Sequence, residues 1–557
     1  MIVDYRESSS PADIEADLCI VGAGPAGISI ARSFIGSRVQ VCLVESGGLE
    51  PDHDTQDLYQ ADSTGTLPFN ARNSRLRAFG GGSEAWGGGC IPLACLDFAV
   101  RDWVPHSGWP LSYAQLRPYY QQACELLRIG NHGFAEGSFA GPLPYPPPQF
   151  DESLLVNQRF ARSPVHFGSD YRDELRRAPN VRVLLHANLL VFEADAQASS
   201  VREARIGSLC GRRGRIRARQ YVLACGGIEN ARLLLLSDTV MPGGLGNRHD
   251  LVGRYFMDHP AGRIGVLHTD RADAMTRAYN RTGGQGDAPL FPELCVADAA
   301  QRSARLLNAR ARPVAVQAAV PRGLQALRRL RAAMRQPARD ESMLYVLEPQ
   351  VDTGALWSKD GSLPRSSQAM GRSPASLVKN ALDLGLGAGG IAHACVRKLA
   401  GKPAVRTARV DVDGYFEQAP NPDSRVQLAA DTDALGLRKA SVDWRLTPLD
   451  WHTYRTTARI VGEELARVGA GRFEPESWLQ AGNDATPGLQ GTSHHIGTTR
   501  MDPDPHRGVV DLDSRVHGVD NLYVAGSSVF PTGGWAFPTF TLVAMSLRLA
   551  EYLHGLF

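Results

Sequence analysis

At 557 residues the chain is too long for one compact core, and two domains are expected. Its 60 Lys and Arg nearly balance 58 Asp and Glu, which removes any whole-chain electrostatic case for nucleic-acid binding. Nine dispersed cysteines without repeated CxxC pairs argue against a disulfide scaffold or a zinc ribbon and fit a reducing compartment. No basic-then-apolar leader opens the sequence and no apolar run approaches membrane length, so a cytoplasmic protein without an integral membrane segment is expected.

The first legible element is "ADLCIVGAGPAGISIARSFIGSRVQVCLVESGG". Leu18 to Val21 read as a short apolar strand, and Gly22, Gly24 and Gly27 follow as G-x-G-x-x-G. Helical spacing continues through Phe34, and a second strand, Val39 to Val44, ends in Glu45. Gly22 allows the tight turn, Gly24 lets backbone approach a pyrophosphate, and Gly27 lets helix pack closely on strand. Glu45 stands where a carboxylate accepts ribose hydroxyls, which argues against a 2′-phosphate. This stretch leaves NAD and FAD both open.

Next, "LRAFGGGSEAWGGGCIPL" (76–93) carries two glycine triplets, too dense for a helix and suited to backbone lying against a large planar or phosphorylated group. "WVPHSGWPLSYAQLRPYYQQACELLRI" (103–129) predicts a loop and an amphipathic helix, and "PLPYPPPQF" (142–150) a rigid surface segment. From 181 the pattern turns to strands, then repeats a strand–glycine–helix unit at Gly226 and Gly227. "RGLQALRRLRAAMRQPARD" (322–340) reads as a basic helix with a solvated face. Alternating strands and a long helix, "PLDWHTYRTTARIVGEELARVG", lead to "GTSHHIGTTRM", and a strand, a small-residue turn and a helix close the chain.

Taken with "FGGGSEAWGG" and the N-terminal fingerprint, the C-terminal segment "NLYVAGSSVFPTGGWAFPTFTLVAMSLRLAEYL" resembles the glucose–methanol–choline (GMC) oxidoreductases over essentially the whole chain, most weakly at 270–400. The resemblance implies an α/β fold: a doubly wound, Rossmann-like FAD-binding domain (1–253 and 488–557) with an inserted α+β substrate domain (254–487). It implies alcohol oxidation, with hydride passing to FAD and a histidine taking the hydroxyl proton. The family's H-x-x-G-T pattern falls on His494, Gly497 and Thr498, with His495 as the neighbouring candidate. In an extended backbone adjacent side chains point opposite ways, so only one of the two should face the flavin; His259 and His517 are expected in core or surface roles.

Gly81, Ser83, Leu189, Gly526, Ser527, Phe537 and Thr539 join the glycine fingerprint and Glu45 as implied FAD contacts. Two departures stand out. Phe537 occupies a position where the family commonly has Asn or His, and Ala85 stands where some members attach FAD through a histidine, so non-covalent FAD is expected. With Phe537 shaping the pocket, Gln418 and Asn421 are candidate polar groups for the substrate. The alternative is changed flavin chemistry, desaturation or elimination, with Glu84 as base. The substrate class implied is a sugar, glycoside or other polyhydroxylated small molecule, and the electron acceptor an oxygen molecule, a quinone or a redox protein.

Overall fold

The computed structural model describes residues 1–557 apart from 8–11, 68, 131–132, 136, 141–144, 280–287, 289, 318, 335–373, 401–403 and 483–487. The C-terminal part of the basic run and the start of the proline segment therefore lie outside the described residues.

The first sheet is buried on both faces where its parallel strands are apolar, at Leu18–Val21, Val41–Val44 and Tyr221–Leu223. Its parallel part runs Ile2–Asp4, Val181–Leu185, Val41–Val44, Asp13–Val21, Arg213–Leu223, Leu522–Val524. Arg213–Leu223 also turns antiparallel against Val201–Gly207, which pairs with Asn188–Ala194. The expected fingerprint strand is thus the centre of the sheet, longer at its N-terminal end than its apolar core suggested. Helix Pro25–Ser33 follows it, with Pro at the first turn where no N–H bond is lost. Gly22 turns at φ 104°, and a Cβ there would meet the Ala224 carbonyl oxygen at 2.5 Å. At Gly27 a Cβ would lie 1.9 Å from the Gly22 backbone oxygen, so this close contact exists only because Gly27 has no side chain.

The second sheet is antiparallel in the order Arg472–Pro475, Ala261–His268, Thr407–Phe416, Ala309–Gln317, Leu290–Val296, Leu155–Arg162, Gly89–Cys90. Segments and sheets interleave: Leu155–Arg162 and Gly89–Cys90 join this sheet from before residue 254. Likewise Ala61–Gly65 pairs with Arg438–Trp444, beside Arg425–Thr432. Helix Pro448–Arg467 starts on a Thr447/Asp450 capping box, and helix Tyr113–Leu126 on Ser112/Gln115, each satisfying N–H groups that a helix start leaves open. Among the described residues no helix is long and apolar enough to cross a membrane.

A buried ion pair adds a tie between the stretch after helix Cys95–Phe98 and the end of strand Thr407–Phe416. Arg101 donates to Glu417 through two nitrogens, at 2.8 and 2.6 Å, and Glu417 also accepts the Asn308 N–H at 2.8 Å. Both side chains are buried. Removing one charge strands the other in a low-dielectric interior. Glu417→Gln is expected to lower unfolding stability by about 3–5 kcal/mol, and pairing it with Arg101→Met to recover part of that loss, as read by urea denaturation.

Candidate active site

A single elongated cavity, about 1560 Å³ of atom-free space, runs from the fingerprint to the histidine pair. The N-termini of three helices open onto it, and none carries a side-chain cap: Pro25–Ser33, Gly226–Leu236 and Pro538–His554. Uncapped N–H groups and aligned peptide dipoles make each a site for negative charge. Gly24, Gly226 and Gly526 line the same space, and a Cβ built on any of them would meet nothing within 4 Å. These positions keep open a volume that a side chain would fill.

Glu45 lines the cavity from the end of Val41–Val44. Its carboxylate accepts the Ala23 N–H at 3.0 Å and the Gly47 N–H at 2.8 Å, which orients it, while burial raises its pKa. Gly22, Gly81, Ser83, Leu189, Ser527, Phe537 and Thr539 are also in the lining. Gly27 is not, because its role is the helix–strand contact. Cavity shape, oriented carboxylate and convergent helix N-termini fit a dinucleotide with a pyrophosphate centre and a long second half.

His494 and His495 sit at the far end, and both line the cavity. The backbone turns just before them at Ser493, whose φ is 66°. His494 is tied on one side only. Its Nδ1 lies 2.9 Å from Thr492 Oγ1 and 3.0 Å from His259 Nδ1. His495 packs its ring against Phe69 and Phe256, and its buried Nε2 has no hydrogen-bond partner. Burial pushes the His495 pKa down to about 3 and that of His259 to about 4. The His494 pKa falls well below the usual histidine range, from burial first and then from His259, Arg310 and His495.

Two residues that organise this end were missed in the sequence. Asp258 is buried, and its Oδ1 accepts the N–H groups of His259 (2.7 Å), Thr492 (3.3 Å) and His494 (2.9 Å) and the Thr492 hydroxyl (3.0 Å). Its Oδ2 accepts the Ser493 N–H at 3.1 Å. Burial raises its pKa to about 6. The other is His259, a buried histidine whose ring bridges the Gly534 carbonyl (2.9 Å) and His494. The only local signal was the adjacent "DH" in "GRYFMDHP", which carries no spacing rule.

Gln418 and Asn421 do not line the cavity. The Gln418 oxygen accepts the Asp258 N–H (3.1 Å) and the Trp444 indole N–H (2.7 Å), so it supports Asp258 instead of meeting substrate. Asn421 closes a turn by accepting the Asp423 N–H. Glu84 likewise lies outside the cavity lining. It accepts N–H groups of Gly168 and Ser169 and the Ser169 hydroxyl at the start of helix Phe167–Arg177.

Phe537 has its own packing logic. Its ring meets His494 edge-on at 5.7 Å and Phe160 at 5.1 Å, and a Cβ on Gly89 would lie 2.7 Å from it. Behind it, the Arg310 guanidinium is 3.8 Å from the Tyr415 ring centre, 4.9 Å from Phe537 and 5.0 Å from Trp535. Glu293 pairs with the same guanidinium at 2.8 Å. Phe537 is one wall of an aromatic box around a buried cation.

A dinucleotide fold joined to an antiparallel sheet, with paired histidines at the end of the cofactor cavity, fits a flavin-dependent oxidoreductase. A family model for GMC oxidoreductases matches residues 420–546. Over this C-terminal part the chain is similar to the GMC oxidoreductases, and FAD is the cofactor that the likeness supports. It is 24% identical to 6'''-hydroxyparomomycin C oxidase of Streptomyces lividus, over 98% of this chain and 93% of that one. It is 22% identical to the fructose dehydrogenase large subunit of Gluconobacter japonicus, over 97% of each. Its fold resembles that of formate oxidase, with TM-score 0.55 and 16% identity over 98% of this chain and 99% of that one.

Asp258→Ala is expected to leave the N–H groups of residues 492–494 without their acceptor and to release the turn at Ser493. A stability loss of about 2–4 kcal/mol by denaturant titration is the predicted result. An unchanged midpoint would mean that the carboxylate does not hold the loop.

Proposed function

We propose that the protein oxidises a CH–OH group on a sugar-like molecule, a glycoside or an amino sugar, with His494 as the base that takes the hydroxyl proton. The observation that carries this reading is the setting of His494. It lines the cavity shared with the cofactor residues, and its Nδ1 is engaged by protein, so Nε2 is the nitrogen left for a substrate. Bound FAD would supply the hydride acceptor, chemistry that no side chain offers.

The division of labour among the remaining residues follows from their chemistry. Burial and nearby positive charge keep His494 neutral, so it is ready to accept a proton across the working pH range. Phe537 cannot hydrogen-bond the substrate oxygen; its ring instead walls off His494 and excludes water. The loss of one positioning hydrogen bond costs a factor of about 10² in rate, which an enzyme survives. Glu84 as a base finds no support, because its carboxylate caps a helix. The sugar-like substrate is supported by the similarity to an aminoglycoside oxidase and a fructose dehydrogenase. The proposal includes FAD binding by 1–253 and 488–557, a substrate domain at 254–487, and non-covalent FAD beside Ala85.

Purified protein is expected to show a visible flavin band that bleaches anaerobically with a member of a panel of paromomycin, D-fructose and simple glycosides. His494→Ala should abolish the bleaching with FAD retained, and His495→Ala should preserve it. A flavin that can be photoreduced but bleaches with no alcohol would overturn the reading. Because the His494 pKa is lowered, the base stays unprotonated at lower pH than an ordinary histidine. The bleaching rate at low substrate should therefore show no acid limb near pH ~6.5, the ordinary histidine value. Acid precipitation is expected to release the flavin into the supernatant; flavin remaining with the pellet would mean a covalent link.

A further inference from the structure

We infer that His259 is a positioning residue that fixes which nitrogen of His494 carries the proton, leaving the lone pair on the Nε2 that faces substrate. The inference rests on the reading of His494 as the base and adds to it the element that makes the base usable.

The argument starts from a group whose role is not negotiable. The Gly534 carbonyl can only accept, and it lies 2.9 Å from His259 Nε2, so that nitrogen bears the hydrogen. Burial keeps the His259 ring neutral, with its pKa near 4. A neutral imidazole protonated at Nε2 presents a lone pair at Nδ1. That lone pair is 3.0 Å from His494 Nδ1. Two lone pairs at this separation would repel, so His494 Nδ1 must be the donor.

A second route reaches the same assignment independently. Thr492 has one hydroxyl hydrogen, and the Asp258 carboxylate, 3.0 Å away, can only accept it. The Thr492 oxygen is then an acceptor for His494 Nδ1, 2.9 Å away. One N–H on His494 is thus shared between two acceptors, His259 Nδ1 and Thr492 Oγ1. Neutral His494 has no further hydrogen, so Nε2 keeps its lone pair. A wrong tautomer would put a hydrogen where the substrate hydroxyl must deliver one, and the base would be disabled without any change in its position.

The chain also connects two parts of the site far apart in sequence. Gly534 belongs to the loop that carries Phe537, and His259 follows Asp258, which holds the backbone of His494. The histidine orientation and its proton are therefore set by the same pair of consecutive residues.

The test is long-range proton–nitrogen correlation NMR on full-length, FAD-bound protein labelled with 15N-histidine. The His494 signals are assigned by their loss in His494→Gln. Expected is the neutral pattern with hydrogen on Nδ1 and a bare Nε2; hydrogen on Nε2 in the wild type would overturn the inference without any variant. His259→Asn, whose side-chain oxygen can stand in for the Nδ1 acceptor, should keep the pattern. His259→Leu should lose it and lower kcat by about 10–100-fold with KM little changed, using D-fructose or paromomycin as reductant according to which bleaches the flavin. An unchanged pattern together with unchanged kcat in His259→Leu would also overturn it. If His494→Ala still bleaches, the base reading fails while the NMR assignment stands, so the two failures are distinguishable.

Discussion

The catalytic end of this molecule depends on one buried carboxylate. Asp258 gathers four donors on one oxygen and a fifth on the other, drawn from residue 259 and residues 492–494. Without it the backbone at Ser493, in the left-handed region, would have little to hold it against a strain of about 1–3 kcal/mol. The carboxylate is itself disfavoured by burial, which raises its pKa to about 6. The hydrogen bonds offset part of that desolvation, and Gln418 and Trp444 brace the segment from behind. Gly491 permits the arrangement, since a Cβ there would lie 2.8 Å from Asp258 Oδ2.

The cofactor half of the site obeys a different constraint. Its three helix N-termini come from the start, middle and end of the chain, and each follows a strand of the parallel sheet or a turn leading from one. Convergence at one edge of such a sheet is the usual consequence of parallel strands joined by crossovers. The fingerprint is therefore a local sequence feature with a local structural cause. Gly22, Gly24, Gly27 and Glu45 could be assigned roles from spacing alone, and three of them line the cavity while Gly27 packs the helix onto its strand.

The substrate half was less legible, for reasons that differ by residue. His494 was found because H-x-x-G-T is contiguous. Asp258 and His259 were not, because their meaning lies in contacts to residues more than two hundred positions later. Gln418 looked like a free polar group in a loop, yet its amide bonds to Trp444, Asp258 and the Arg445 carbonyl. Glu84 looked like a free acid beside the flavin, but the helix start at Phe167 takes it. A polar side chain in a sequence advertises hydrogen-bonding capacity; only the fold decides whether solvent, substrate or backbone uses it.

Phe537 shows why a lost polar partner need not mean a lost activity. An asparagine there would face the buried Arg310 guanidinium and disrupt the ring box of Tyr415, Trp535 and Phe160. A phenylalanine instead offers its electron-rich face to that cation and its edge to His494. The cation in turn helps keep His494 unprotonated. A weakly basic imidazole gives up proton affinity, but it stays unprotonated at lower pH than an ordinary histidine. Its partner's contribution is then orientation and proton placement, which a neighbouring histidine and a threonine supply from the protein side without occupying the substrate's space.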